Sequence, residues 1–424
     1  MTKRSNWNKV IRFWKKLGPG LITGASDDDP SGIATYSQAG AQFGLSTLWT
    51  ALITFPLMAA VQEMCARIGM VTSKGLTGTL KEHYSKPVLY LMLLFSFPAI
   101  VMNIGANIAA MGAVGNLLLP SINASIFSIG FTILLMGIFI YLPYRKFASL
   151  LKYLCIVLLV YLIVPFLYEQ DFLAILKGAF IPDIKFTKEF IGILVAILGT
   201  TISPYLFFWQ ATMVVEDQNL KRKRIIVDKR VLEDLKQDVD FGMLFSNVIM
   251  FFIILTSGTV LFNAGIHNIE TVEQAALALR PLAGDSAYLL FAIGVIGTGL
   301  LAIPVLCGCL SYIVTETFGW EKGINKKFHQ AKAFYSITII SLLLGLMMNY
   351  VGISPIQALL WSAILYGITA PVLILIILNI GNNKEVMGEF TNNKRSNFLG
   401  YTAFILMSIA ALTLLYLYIA DKLL

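Results

Sequence analysis

The chain is short of charge. Asp, Glu, Lys and Arg make up 13% of its 424 residues, about half the share in a soluble domain. Histidine is scarcer still: His83, His267 and His329 are the three, all in predicted loops. No imidazole is therefore offered inside the apolar segments. The four cysteines fall in apolar runs, and Cys307 and Cys309 are two apart, which points them to different sides of a helix. They read, with Cys65 and Cys155, as small apolar fillers rather than a disulfide or a metal site. A cleavable signal is lacking too. "MTKRSNWNKVIRFWKKLG" is basic and aromatic, no short apolar region with a small-residue cleavage site follows it, and it reads as a cytoplasmic amphipathic lead-in.

What is present is apolar. Hydrophobic residues are 57% of the chain, in stretches of about 20 residues, each long enough to cross a bilayer. Hydropathy predicts eleven spans, at about 18–42, 44–71, 88–117, 122–142, 147–167, 188–215, 240–264, 286–318, 333–351, 354–380 and 398–420. With the N-terminus inside, the outside segments hold only Lys177, Lys185, Lys188, Arg280 and Lys422, and Arg67 alone lies within a span. Every other basic residue is inside, as the positive-inside rule requires, and the C-terminus is then outside. The net charge of +8 thus speaks for a bilayer surface and not for nucleic acid. The "KRKR" run at 221–224 reads as a topology determinant and headgroup contact. The loops near 168–187, 216–239 and 265–285 are too short to fold alone. The expected domain is a single transmembrane unit over 1–424, with inverted repeats at about 18–167 and 188–380 and an extra helix at about 398–420.

Two spans are interrupted. The first reads "GASDDDPSGIAT" at 24–35, with Asp27, Asp28 and Asp29 followed by Pro30 and Gly32. The sixth reads "LGTTISPYLFFWQAT" at 198–212, with Pro204 mid-span. Proline removes a backbone N–H and clashes with the preceding turn, so both spans should unwind and free carbonyls near the midplane. These are the first helices of two five-helix halves. Paired breaks in corresponding positions point to a transporter's binding site, and the adjacent carboxylates make it a cation site.

These residues resemble the Nramp-type divalent-metal transporters, which carry Asp-Pro-Gly-Asn in the first span and Met-Pro-His in the sixth. Here those positions read Asp29-Pro30-Ser31-Gly32 and Ser203-Pro204-Tyr205. "GPG" at 18–20, "QAGAQFG" at 38–44, "VQEMCARIGMVTSKGL" at 61–76 and "VMG" at 386–388 also fit the family. The resemblance implies an all-α, multi-pass, LeuT-like fold of 5+5 inverted repeats, discontinuous helices 1 and 6, and a divalent-metal substrate.

The departures are as informative. The family's Asn ligand is Gly32, its Met ligand is Ser203, its next His is Tyr205 and its later His is Gln210. The third span, "NIGANIAAMGAVGN" at 103–116, has no acid, and the ninth has no arginine. This pattern is similar to the Nramp-related magnesium transporters. Chemistry points the same way: oxygen ligands suit Mg²⁺, a thioether suits softer metals, and a wider site admits an ion that keeps part of its water. Mn²⁺ tolerates the same ligands.

The expected metal site is Asp29 at the centre, with Gly32, Ser203, Tyr205 and Gln210. Gln210 lies seven residues, two turns, beyond Ser203 on one face. Gln357 matches a family position facing the site, or else makes an inter-helix hydrogen bond. Asp28 either lines the mouth of the site or serves as a polar partner for another helix. Glu216 and Asp217 are either a vestibule or solvated caps. Asn103, Asn107 and Asn116 read as packing glue, and Glu63 with Arg67 as an i,i+4 pair. The expected function is Mg²⁺ and Mn²⁺ transport without proton coupling, with no cofactor beyond the transported ion, no obligate protein partner and a place in the cell membrane. The alternatives are a proton-coupled transition-metal importer, an amino-acid symporter on the same fold, and a metal sensor without flux. An intramembrane aspartyl protease needs a second catalytic Asp in another span, and the spans beyond the first hold essentially none.

Overall fold

A computed structural model of the chain describes residues 18–142, 159–167, 171–221 and 227–423. The lead-in before Gly18, most of the fifth expected span with Cys155, and most of the "KRKR" run lie outside these. The principal helices are α1 (Pro19–Asp27), α2 (Pro30–Phe43), α3 (Trp49–Thr72), α4 (Leu76–His83), α5 (Lys86–Leu118), α6 (Ala124–Tyr141) and α7 (Phe172–Phe180). They continue with α8 (Lys188–Thr201), α9 (Pro204–Lys221), α10 (Lys229–Ser257), α11 (Ala287–Phe318), α12 (Lys332–Met348), α13 (Pro355–Asn382) and α14 (Lys394–Leu423). Both expected breaks are there: α1 and α2 are the halves of the first span, α8 and α9 those of the sixth.

Among the described residues, eight helical stretches are long and apolar enough to cross a membrane. The Lys188–Asn219 stretch, made of α8 and α9, is 94% buried over its apolar window, against 22% for α6 and 28% for α14. The broken sixth span is therefore the centre of the bundle, and α6 and α14 turn most of their surface to lipid. Around the centre, α10 packs along both α1 and α2, α13 packs on α8, α5 and α14, and α5 packs on α11 and α12. Small residues let these backbones meet, as expected where no aqueous hydrophobic effect drives helices together. A Cβ on Gly24 of α1 would lie 2.1 Å from the Gly242 carbonyl oxygen of α10.

Candidate metal site at two broken helices

The Asp29-Pro30 dipeptide writes both a stop and a start. Proline disfavours helical geometry in the residue before it, and Asp29 is extended, at φ −73° and ψ 171°. Pro30, with no N–H to lose, is the first residue of α2. Asp29 caps α2 by accepting from the Gly32 amide at 2.9 Å, an arrangement worth about 1 kcal/mol. In the sixth span Ile202 leaves helical geometry and Pro204 begins α9. Two helix C-termini and two N-termini thus converge, and C-terminal ends favour cations.

Asp29 sits in a cradle of donors. Its Oδ1 accepts from Ser31 Oγ at 2.5 Å and from the Gly32 amide. Its Oδ2 accepts from Asn103 Nδ2 at 2.9 Å and Asn107 Nδ2 at 3.1 Å, both on α5. Asn103 in turn accepts from Ser362 of α13 at 3.2 Å. The packing-glue reading of Asn103 and Asn107 is thereby corrected: they are the polar wall of the Asp29 pocket. Asn116 instead caps the turn after α5, donating to Ile122 O at 2.8 Å.

Two pairs of hydrogen bonds tie the broken helices on either side of this centre. On one side Ser31 meets Thr200 at 3.3 Å and Tyr36 meets Thr201 at 3.1 Å, joining α2 to α8. On the other, Tyr205 donates to Ser26 O at 2.9 Å and Thr23 donates to Gln210 Oε1 at 2.6 Å, joining α1 to α9. Asp29, Ser203, Tyr205, Gln210, Asn103 and Asn107 are each at most 1% exposed, so the site is closed to solvent from both ends.

The expected ligands divide accordingly. Asp29 and Gly32 are at the centre. A Cβ on Gly32 would lie 3.3 Å from the Tyr36 ring, 3.4 Å from Asp27 O and 3.6 Å from Thr200 Oγ1, so the position is closely packed, with two oxygens among its neighbours. Ser203 is at the break, but its hydroxyl donates to Thr200 O and to Gly199 O at 3.1 Å. Tyr205 gives its hydroxyl and Gln210 its Oε1 to α1, while Gln210 Nε2 is buried with no partner. Gln357 is not brought to the site: it is exposed in the first turn of α13, where its backbone N–H donates to Ser354 Oγ. That helix reaches the site through Ser362, one turn and a half further along. Asp28 takes the role of polar partner, since Asp28 Oδ1 at 3.1 Å and Asp27 Oδ2 at 2.7 Å share the Ser246 hydroxyl of α10. Glu216 accepts from Tyr312 of α11 at 2.9 Å.

Arg67 pairs with Glu63 at 2.8 Å and also donates to Phe390 O and Asn392 Oδ1. Cys65, Cys307 and Cys309 are buried and free, with Cys309 Sγ 3.3 Å from Tyr205 O. One carboxylate escaped the sequence reading: buried Asp238 of α10 accepts from the Gly18 and Gly20 amides, each at 2.7 Å, and so caps the start of α1. Among the described residues no three His, Cys, Asp or Glu side chains converge on one point. An ion at the break would have one central carboxylate, with amides, hydroxyls and freed carbonyls around it.

Two discontinuous helices crossing at a buried carboxylate, inside a bundle of long apolar helices, define a multi-pass membrane protein of LeuT-like architecture. A profile of the family described as natural resistance-associated macrophage protein-like matches residues 20–417. The chain belongs to the Nramp family. It is 25% identical to the divalent metal cation transporter MntH of Listeria welshimeri, over 96% of this chain and 92% of that one. It is 24% identical to MntH of Yersinia enterocolitica, over 91% and 90%. The manganese transporter of Eremococcus coleocola shares the fold at a TM-score of 0.75 and 17% identity, covering 94% of this chain and 86% of that one. These relatives are transporters and not enzymes.

Proposed function

We propose that the protein carries hard divalent cations, Mg²⁺ together with Mn²⁺, across the cell membrane without proton symport. The observation that carries this reading is the chemistry at Asp29: one carboxylate, faced by two amide side chains, hydroxyls and the Asp27 carbonyl beside Gly32. Such donors suit hard ions. Mg²⁺ sheds water reluctantly and usually keeps several waters in its shell, and Gly32, unlike an Asn there, puts no ligand side chain in their place. The Asn103 and Asn107 amides hold the Asp29 charge. The same side chains can turn their carbonyls toward a bound ion, and Asn107 Oδ1 is buried with no partner. In this reading Asp29 and Gly32 are the core of the site, Ser203 widens it, and Tyr205 and Gln210 act by holding α1 against α9. The termini follow the charge distribution, N-terminus cytoplasmic and C-terminus outside, with the two halves acting as inverted repeats.

A second reading, a proton-coupled transition-metal importer, is favoured by the manganese and MntH relatives and by one thioether, Met250, which lies 3.6 Å from Thr201 Oγ1 at the break. Purified protein in liposomes, with parallel Mg²⁺, Mn²⁺ and Cd²⁺ indicators, separates the two. The proposal expects Mg²⁺ and Mn²⁺ to enter at comparable rates. Entry of Mn²⁺ and Cd²⁺ with Mg²⁺ excluded would decide for the second reading.

A further inference from the structure

A cavity of about 140 Å³, away from the broken helices, lies where α3, α10 and α14 meet. Its floor is Phe55 and Pro56 of α3 with Leu399 of α14, and its rim carries Lys236, Asp240 and Arg395. Phe55 precedes Glu63, which is also on the cavity wall, by two helical turns, or roughly 12 Å. The cavity therefore runs from a charged mouth into the apolar thickness of the bundle. It opens to the side. Helix α3 packs against both α10 and α14, whereas α10 and α14 scarcely meet, so α3 forms the floor of a cleft between them. The same helices turn Leu52, Leu244 and Phe398 outward as exposed apolar surface.

The rim is arranged for a ligand with charges of both signs. Lys236 and Asp240 are i,i+4 neighbours on α10, and Arg395 faces them from the first turn of α14. Asp240 experiences the charge of both cations and of Glu63, yet neither Lys236, Asp240 nor Arg395 makes an ion pair among the described residues. Glu63 is already held by Arg67. Basic pockets between membrane helices bind lipid headgroups. A purely anionic headgroup would face repulsion from Asp240. A quaternary ammonium could not donate a hydrogen bond to it, and a primary ammonium can.

We propose that this cavity seats one phospholipid of the phosphatidylethanolamine class. The phosphate lies against Lys236 and Arg395, the ammonium against Asp240, and the first acyl methylenes against Phe55, Pro56 and Leu399. The site is independent of the metal reading above. Native mass spectrometry of the full chain, titrated with phosphatidylethanolamine, phosphatidylcholine, phosphatidylglycerol or soluble phosphoethanolamine, tests it. One phosphatidylethanolamine should bind per chain in preference to the others. K236Q/R395Q should weaken it about thirtyfold, and K384Q/K394Q, with the same charge change outside the cavity, should leave it as in wild type. D240N should erase the preference over phosphatidylglycerol, and A60W, which fills the cavity at unchanged charge, should abolish binding. Equal retention by wild type and by both K236Q/R395Q and A60W would overturn the proposal. So would a wild-type preference for phosphatidylglycerol, or competition by phosphoethanolamine at the lipid's own concentration.

Discussion

Asp29 caps a helix, marks the break and, in the proposed site, is the central charge, all through one carboxylate. Asp29→Ala should lower divalent flux by tenfold or more, since losing a charged partner costs about 1.5–3 kcal/mol. Wild-type Mg²⁺ or Mn²⁺ influx in that variant would remove Asp29 from the site. Asn103→Ala and Asn107→Ala each remove a side-chain carbonyl that, in the proposed site, turns to the ion, a loss of about 1–3 kcal/mol that outweighs freeing Oδ2 from one donor. Each should weaken ion binding measured by calorimetry, and the double variant should lose more than either. Selectivity belongs to this scale as well. G32N/S203M adds an amide and a thioether, and the ratio of Cd²⁺ to Mg²⁺ affinity should rise. The new Cβ at position 32 lies 3.3 Å from the Tyr36 ring, so that ring must shift by a few tenths of an ångström. An unchanged ratio would place selectivity in the width of the site instead. At this scale the sequence was legible only where a backbone break announced itself. Asp29, Gly32 and Ser203 flank prolines, and so they could be found. Asn103 and Asn107 could not, because which face of α5 meets α2 depends on packing between distant segments, and an uncharged amide carries no mark of its partner. Gln357 failed for the same reason: the register of α13 brings Ser362 to Asn103 and leaves Gln357 outside.

Helices α1 and α2 are separate bodies, each tied to half of the sixth span. The bonds Thr23–Gln210 and Tyr205–Ser26 hold α1 to α9, and Ser31–Thr200 and Tyr36–Thr201 hold α2 to α8. If the carrier opens to each face of the membrane in turn, opening toward one face would break one pair and keep the other. Thr23→Val should therefore speed hydrogen exchange of the α1 amides roughly fivefold, the equivalent of about 1 kcal/mol, and leave α2 unchanged. Thr201→Val should do the reverse. A uniform change in both helices would show that the broken halves move as one. The Asp238 cap on the first amides of α1 adds a third restraint on that helix. Its role is invisible in sequence, since the carboxylate and the amides it serves are more than two hundred residues apart. The helices themselves were legible almost throughout, because an apolar run of about 20 residues in a bilayer has few alternatives to a helix.

The whole molecule is a carrier scaffold with unequal burial: α8 and α9 at the centre, α6 and α14 at the lipid, and α10 running past both halves of the first span. Proton symport would require titratable groups between the metal site and water. Helix α5 contains no Asp, Glu or His, and Tyr205 and Gln210 do not titrate near neutral pH. The titratable groups beside the site are Asp27 and Asp28, bonded to Ser246, and the Asp238 cap. Transport without symport requires them to keep one protonation state through the transport cycle. The driving force in this account is the inside-negative potential, worth about 4.6 kcal/mol per 100 mV for a doubly charged ion. The most direct measurement places wild-type protein and Asp29→Ala in proteoliposomes with a K⁺/valinomycin potential, a Mg²⁺ or Mn²⁺ indicator and an internal pH dye. The account predicts metal influx that grows with the negative potential, vanishes in Asp29→Ala and leaves the internal pH unmoved. Internal acidification that tracks metal uptake, and stops when the metal is withheld, would contradict it.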